Sequence, residues 1–481
     1  MTEHWGIALE SQLKRTVKAR LLGPVLVAAL AATAPIATSA ETLADTLATA
    51  YRNSGLLEQN RALLRAADED VAVTVSRLRP IINWSADVTR NFGRTRGPNG
   101  RVSVDSTDAS IGLTAQFLLY DFGRTGLQVE AAKETVLSTR ETLRSIEQQV
   151  LLRAVVAFMN VRRNSEFVSL RQNNLRLLEQ ELRAARDRFE VGEVTRTDVA
   201  QAESRLASAQ SGLASAQGNL ARAIEEFVSA VGREPGSLRT PQSIPNLGGS
   251  ADASKSVALR NHPDILKVQH DVAAAELAIK AADAASRPRV NLNARAGFED
   301  EWSGSDYVRS GSVGVEVTGP IYQGGQLSAL ERQAVARRDA VRGALLLAQL
   351  GVQQDVGNAY ADLRAARASR EASQEAVRAA TVAFRGVREE AKLGARTTLD
   401  VLDAEQALLD ARTNLISAEI DVYIAAYAIL SSIGQLTARD LNLAVQTYDP
   451  SAYYNMVKSA PTELSPQGRQ LDRVLRSLGK E

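Results

Sequence analysis

The chain has 481 residues, with 57 Lys and Arg against 56 Asp and Glu, so it is almost neutral and long enough for about two or three domains. Without a basic block it has no electrostatic footprint for nucleic acid. The lack of cysteine excludes disulfides, thiolate metal sites and cysteine nucleophiles. The three histidines, His4, His262 and His270, are too scattered for a histidine metal cluster. Composition therefore argues against an enzyme, and we expect no metal or cofactor.

The first 40 residues are predicted to be a secretory signal peptide. Basic residues precede an apolar stretch at 21–34, and small residues then lead to a cleavage site after Ala40. The stretch is shorter than the ~20 residues that span a bilayer, which argues against a membrane anchor. No later apolar run is expected to form a transmembrane helix, so insertion into a membrane would use β-strands.

The rest of the chain contains one pattern twice. Gly192 and Asp198 recur 202 residues later as Gly394 and Asp400. Prolines and glycines between the copies indicate a linker. The predicted organisation is a signal peptide at 1–40, a first repeat at 41–234, a linker at 235–253, a second repeat at 254–446, and a loosely ordered C-terminal periplasmic tail at 447–481 with no assigned role.

Each repeat is predicted to form a long helical hairpin. Residues 127–191 contain neither Gly nor Pro, and one helix of that length would extend ~100 Å. Large apolar residues then alternate with alanine at steps of three and four along 199–230, and the pattern recurs along 401–429. This heptad seam predicts antiparallel coiled-coil hairpins with tips at 191–198 and 393–400.

Four segments alternate between apolar and polar residues with the period of a β-strand. Arg295 and Glu316 lie on the polar face. A soluble sheet over one core would alternate in the same way, but no part of the chain remains to cover the apolar face, so we expect lipid there. Four strands cannot close a barrel, and the residues alone leave a dimer and a trimer both open. The predicted strands are at about 82–90, 109–120, 289–298 and 311–321.

These features resemble the TolC-like outer-membrane factors of bacterial efflux and type I secretion systems. The resemblance covers essentially all of the exported chain. It rests on the duplication, on Arg-Pro before the first strand of each copy, on the sequences at 120–123 and 322–325 after the strand pairs, and on a Gly-x-x-Thr-x-x-Asp motif at both tips.

The resemblance implies a mixed, mainly α fold and a homotrimer. A shared twelve-stranded outer-membrane β-barrel would continue into an α-helical coiled-coil tunnel through the periplasm of a Gram-negative bacterium. The implied partners are outer-membrane lipid, a periplasmic adaptor (membrane fusion) protein, and an inner-membrane pump of the ABC or RND type.

The resemblance also implies roles for tip residues. Asp400 and Asp403 match positions that form carboxylate rings at the tunnel constriction, where six carboxylates around a three-fold axis would attract cations. Arg396, Thr197 and Asp198 match positions that bond neighbouring hairpins in the closed state. The positions matched to adaptor contact are Val191, Gly192, Thr195, Leu393, Gly394 and Thr397.

Simpler interpretations of these residues stay open. Asp198 and Asp400 are also suited to capping the helices that follow, and Arg396 can be a solvated charge. Some relatives carry a tyrosine of the closing latch where this chain has Ala391. The function expected overall is a passive outer-membrane exit duct for secreted proteins or drugs, and the alternative is a structural periplasmic coiled-coil protein without a channel.

Overall fold

The computed structural model describes residues 41–98, 100–241, 243–247, 249–302 and 307–477. The predicted signal peptide and its cleavage site at Ala40 lie outside the described residues. The first repeat contains α1 (Leu43–Asn53), α2 (Gly55–Ser76), β1 (Ile81–Gly97), β2 (Gly100–Tyr120), α3 (Arg124–Glu190) and α4 (Arg196–Val231). The second contains α5 (Ala251–Asn261), α6 (Pro263–Ala284), β3 (Arg289–Glu301), β4 (Tyr307–Thr318), α7 (Gln326–Lys392) and α8 (Thr398–Ser432), and α9 (Pro450–Val457) and α10 (Pro466–Ser477) follow.

The strands form one antiparallel sheet in the order β1-β2-β3-β4, so the two repeats meet between β2 and β3. The β1–β2 ladder continues to Gly97 opposite Gly100 and is longer than predicted. Its outer part lacks the apolar alternation that marks a lipid-facing strand, which is why the sequence pattern missed it. β4 begins at Tyr307, earlier than expected, and ends at Thr318 before Gly319.

Each repeat folds its long helices into a hairpin. α3 and α7 contain 67 residues each and therefore extend ~100 Å. α3 packs along α4, and α7 packs along α8. Along the first three quarters of α4, up to Ala223, the buried side chains are all small, which lets the helices approach closely. They are alanines seven residues apart, Ala202, Ala209, Ala216 and Ala223.

The largest core lies where the short helices pack on α3, α4 and α7, and it includes Phe158 and Phe227 with no exposed surface. The tail joins this region, because α9 packs on α2 and the Tyr453 hydroxyl donates a hydrogen bond to Glu69 at 2.7 Å. Val457 is fully buried. The expectation of a loosely ordered tail is therefore wrong over α9 and α10.

Helix α8 is long and apolar enough, by length and composition alone, to cross a membrane. The expectation that no later apolar run would reach this length is wrong. The apolar residues of α8 instead serve interhelical packing: Val422 and Ile429 pack with Leu363 of α7, and Leu402 packs with Leu178 and Ala209 of the first hairpin. α8 is thus in contact with both hairpins of the chain.

Candidate functional site: hairpin tips and sheet face

The long helix of each hairpin ends in the same way. In the first tip the Gly192 N–H donates to the Phe189 carbonyl at 3.0 Å, and the Glu193 N–H donates to the Arg188 carbonyl at 2.9 Å. These two bonds form a Schellman motif, which requires a left-handed residue after the helix. Gly192 supplies it with φ 80°. Gly394, with φ 76°, does the same in the second tip.

The returning helix of each hairpin begins with a capping box. Thr195 is the N-cap of α4, its hydroxyl accepts from the Asp198 N–H, and the Asp198 carboxylate accepts from the Thr195 N–H. Thr397 and Asp400 repeat this arrangement at the start of α8. Hydrogen bonds from the threonine lower the pKa of both aspartates. Each aspartate is therefore the third residue of its helix, and the N-cap residue is the threonine. The interpretation of Asp198 and Asp400 as the N-cap residues themselves is wrong.

The charged residues of the second tip have partners within the chain. Arg396 donates to Glu390 at 2.9 Å on the same hairpin, and Asp403 pairs with Arg205 of α4. These contacts are side-chain ion pairs at exposed positions, which contribute little to stability. The constriction role of Asp403 and the closure role of Arg396 concern contacts between chains and stay predictions.

The two tips lie side by side and share a cleft. Asp198 of the first tip and Arg396 of the second line it together, so the structure brings these two predicted residues into one site. Thr197 is exposed. Val191 and Leu393 are apolar, yet 70% and 86% of their surfaces are exposed. Each tip therefore presents a large apolar side chain to its surroundings.

One buried carboxylate near the tips was missed by the sequence reasoning. Glu405 of α8 is only 4% exposed; one carboxylate oxygen accepts from the Asn174 side chain at 2.6 Å, and the other has no hydrogen-bond partner among the described residues. Burial raises its pKa to about 7. Glu203, the equivalent residue of the first repeat, is exposed and pairs with Arg186 at 2.6 Å. Because equivalent glutamates of the two repeats differ in exposure, the sequence repeat could not predict that Glu405 is buried.

The register of the sheet aligns its apolar residues across all four strands. Trp84 pairs with Leu113, and Leu113 with Ala296. A second row joins Phe117 of β2 to Leu292 of β3, which in turn pairs with Val315 of β4. Most of these large side chains are exposed in the single chain. One face of the sheet is therefore a continuous apolar surface with no cover from the described part of the chain.

Aromatic side chains mark the two ends of this apolar face. Tyr120 contacts Phe122 at the end nearest the helices, with ring centroids 4.8 Å apart. Phe298 and Tyr307 lie toward the other end, 5.9 Å apart. Val290 pairs with Tyr120, so the eight residues from there to Phe298 extend about 27 Å along the strand. At a tilt of ~40° this is a height of about 21 Å, close to the ~25 Å apolar band of outer-membrane barrels between their aromatic girdles.

The sequence profile of the outer membrane efflux protein family matches residues 46–233 and 255–435. The chain belongs to the outer membrane efflux protein family. It is 37% identical over 432 residues to the outer membrane efflux protein BepC of Brucella suis, covering 89% of this chain and 93% of BepC. It is 27% identical to the alkaline protease secretion protein AprF of Pseudomonas aeruginosa, covering 76% and 77% of the two chains. The fold matches the solved CmeC outer membrane channel of Campylobacter jejuni with a TM-score of 0.73, at 16% identity, over 87% of this chain and 90% of CmeC.

Membership of this family confirms the expected TolC-like outer-membrane factor. The protein is a non-enzymatic outer-membrane export channel of a tripartite system, and it extends into the periplasm. The two matched segments each contain one helical hairpin and one strand pair.

Proposed function

We propose that three copies of this chain form one exit duct, with a shared twelve-stranded barrel in the outer membrane and six helical hairpins forming a tunnel below it. The observation that carries the proposal is the four-stranded sheet, which has one continuous apolar face and two unpaired edges, β1 and β4. A sheet in lipid must satisfy every backbone hydrogen bond, so these edges require partners. Pairing β4 of one copy with β1 of the next satisfies both edges. Two copies would only reach the minimum of about eight strands, and three give the twelve strands that the resemblance to TolC-like factors implies.

Cysteine cross-linking tests the number of copies, because the native chain has no cysteine. One cysteine at Ser85 in β1 and one at Ser312 in β4 place thiols at both edges, and neighbouring positions cover alternative registers. Oxidation is expected to give a ladder that ends at the trimer. Thr114 and Arg295 pair within the chain, so cysteines there are the control and should leave only monomer. A ladder that ends at the dimer, or a detergent-free soluble monomer, would contradict the proposal.

We propose that the hairpin tips hold the closed end of the tunnel and meet the periplasmic adaptor. The exposed apolar side chains of Val191 and Leu393 support adaptor contact, and the glycines and capping threonines (Gly192, Thr195, Gly394, Thr397) shape the turns that carry them. For closure, the support is the shared cleft that contains Asp198 and Arg396, with Thr197 next to it in the sequence. Asp400 and Asp403 lie on the first turns of α8, where three copies would bring six carboxylates around one axis.

Leu393→Asp tests adaptor contact, because it places a charge on an exposed apolar side chain while the backbone hydrogen bonds of the turn and the capping box stay in place. Export is expected to fall strongly while the amount of cross-linked trimer stays unchanged. Leu346→Asp is a matched control, since this leucine is also exposed but lies in the first third of α7, far from the tip. Equal loss of export in both variants would contradict a specific role for the tip.

An inner-membrane pump of the ABC or RND type supplies the energy for export. The cargo depends on which pump assembles with the duct. AprF is named for secretion of a protease and BepC for efflux, so relatives serve both cargo classes. Deletion of the gene separates them: loss of a few large secreted proteins assigns type I secretion, and sensitivity to hydrophobic drugs with an unchanged secretome assigns efflux.

A further inference from the structure

A cavity lies on the polar face of the sheet, at the end where the strands join the helices. Its volume is about 700 Å³, and residues from all four strand–helix junctions line it. Gln116 of β2 lines the cavity and is adjacent to Phe117 of the apolar face, so its side chain lies on the opposite face. Asn291 and Leu292 alternate in the same way on β3. The cavity therefore opens on the aqueous side of the sheet, which is the lumen of the proposed duct.

The lining of this cavity is basic. Five arginines line it, against one acidic residue, Asp121. Arg287 pairs with Asp283 at 3.1 Å, and Arg79 donates to the Ala460 carbonyl of the tail at 2.5 Å. The other three have no carboxylate partner in the described part of the chain: Arg77, Arg124 and Arg289. The cavity thus keeps an excess of positive charge even when Asp121 is counted.

In the first repeat, a carboxylate of the chain itself binds the start of the long helix. Asp121 accepts hydrogen bonds from the Gly123 N–H at 3.1 Å and from the Thr125 N–H at 2.7 Å. The Thr125 N–H is one of the groups at a helix N-terminus that have no partner within the helix. The positive end of the helix dipole also favours a negative charge there. The start of α3 is therefore an anion site that the chain fills with its own side chain.

The second repeat has the same turn without the carboxylate. Gln323 stands 202 residues after Asp121 and is neutral. The N–H groups of Gly325 and Leu327 correspond to the two donors of the first repeat, and they have no acceptor among the described residues. Gln323 and Leu327 both line the cavity. The start of α7 thus has the donors of the first anion site but no negative group of its own.

A buried amide adds a further group that can bind a ligand. Asn291 is only 4% exposed and lines the cavity. Its side chain makes no hydrogen bond to any other residue that the structure describes. A buried amide without a partner is costly, because it has given up its hydrogen bonds to water. A ligand that fills the cavity would therefore find a donor here besides the arginines and the helix N-terminus.

We infer that this cavity binds a carboxylate group of the anionic solutes or acidic peptide segments that pass through the duct. Asp121 shows that the turn accommodates a carboxylate, and the guanidinium group of Arg forms paired hydrogen bonds with one. Each chain would place one such site at the barrel end of the tunnel. The position in a lumen rests on the proposed duct, whereas all groups that line the cavity belong to one chain.

Binding of an acidic peptide tests the inference. Detergent-solubilised protein is titrated against fluorescein-labelled hexaglutamate, and fluorescence anisotropy measures the bound fraction. Gln323→Asp supplies the carboxylate that the first repeat has, so it is expected to weaken binding roughly tenfold or more. The same change should stabilise the start of α7, so unfolding does not explain the loss. Gln323→Asn has the same shape without the charge and should bind nearly as tightly as the wild type.

A second variant removes the positive charges of the site. The triple variant Arg77→Gln, Arg124→Gln, Arg289→Gln is also expected to bind the peptide roughly tenfold more weakly or worse. Neutral hexaglutamine should not bind, and wild-type binding of hexaglutamate should weaken in high salt. Equal binding by Gln323→Asp and Gln323→Asn, or unchanged binding by the triple variant, would overturn the inference. Titration with citrate identifies the source of the carboxylate: tighter binding of the peptide assigns chain cargo, and tighter binding of citrate assigns a small solute.

Channel recordings test the position of the site in the lumen. Hexaglutamate added on the extracellular side should reduce the current through wild-type channels in planar bilayers, and should reduce it much less in Gln323→Asp. Binding without any block would overturn the lumenal position. A failure to form channels at all would contradict the proposed duct, whereas the peptide titration would still decide whether the cavity binds carboxylates.

Discussion

Replacing Glu405 with Gln should make the protein more stable at alkaline pH. The carboxyl group of Glu405 is buried against Leu402 and Asn174, and burial raises its pKa from 4.5 to about 7. The folded state therefore binds this proton more tightly than the unfolded state does. Stability is highest below the unfolded pKa and falls as the pH rises from about 4.5 through about 7. The loss reaches at most about 3 kcal/mol per chain, since one pKa unit corresponds to about 1.4 kcal/mol.

Glutamine has nearly the shape of the protonated acid and keeps an oxygen that can accept from Asn174. Glu405→Gln should therefore match the wild type near pH 4.5 and exceed it by up to about 3 kcal/mol per chain at pH 8. Denaturant unfolding of the detergent-solubilised protein at both pH values measures the difference. Asp403→Asn is the control, because this carboxylate lies two residues away but is exposed. A stability difference that is the same at both pH values would refute the argument.

Three other predictions concern the tips and the mature N-terminus. Thr397→Ala should destabilise the start of α8 by about 1 kcal/mol through loss of the N-cap, seen as faster amide exchange confined to the second tip, and Thr397→Ser should restore protection. Replacing Asp400 and Asp403 together with Asn should weaken channel block by multivalent cations in planar bilayers, and unchanged block would place the constriction elsewhere. Intact mass measurement of the exported protein should show that it begins at Glu41, and any other start would move the cleavage site from Ala40.

The elements that the sequence predicts well are those that repeat a simple pattern. A span of 65 residues free of Gly and Pro leaves little besides a long helix, and α3 is that helix. The alternation from Ile82 to Val88 likewise marks one exposed apolar face. Both patterns reflect contacts that are uniform along the element, either with a neighbouring helix or with lipid.

The features that the sequence does not predict depend on contacts that are not periodic. The outer part of the β1–β2 hairpin, residues 90–97 and 100–107, is held by backbone pairing between the two strands, so its residues need no apolar alternation. Glu405 is buried because α8 packs on α7 of its own hairpin and also on α3 of the first hairpin. The heptad pattern of α8 describes only its contact with α7, so it does not predict the second contact face. The tail helices pack through isolated contacts such as Tyr453 with Glu69.

The residues of the Gly-x-x-Thr-x-x-Asp motif form the turn at each tip, and this local role accounts for the motif without a role in closing the channel. The structure uses each of its residues to stop one helix and start the next, and both tips use them alike. Any difference in role between the tips must then come from the positions that the turn leaves free. Glu193 and Val194 of the first tip correspond to Ala395 and Arg396 of the second, so within these two positions the first tip carries one acid and the second tip one base.

Exchanging these two pairs of residues between the tips tests this argument. Both turns keep their glycine, threonine and aspartate, so the exchanged protein should fold and cross-link as the wild type does. In the exchanged protein the arginine stands at position 194 of the first tip. It no longer contacts Glu390, which accepts from Arg396 at 2.9 Å in the native chain. We expect export to fall and the conductance of the resting channel to rise, because closure depends on which hairpin carries the charge. Wild-type conductance in the exchanged protein would mean that the tips close through their shared turn residues alone.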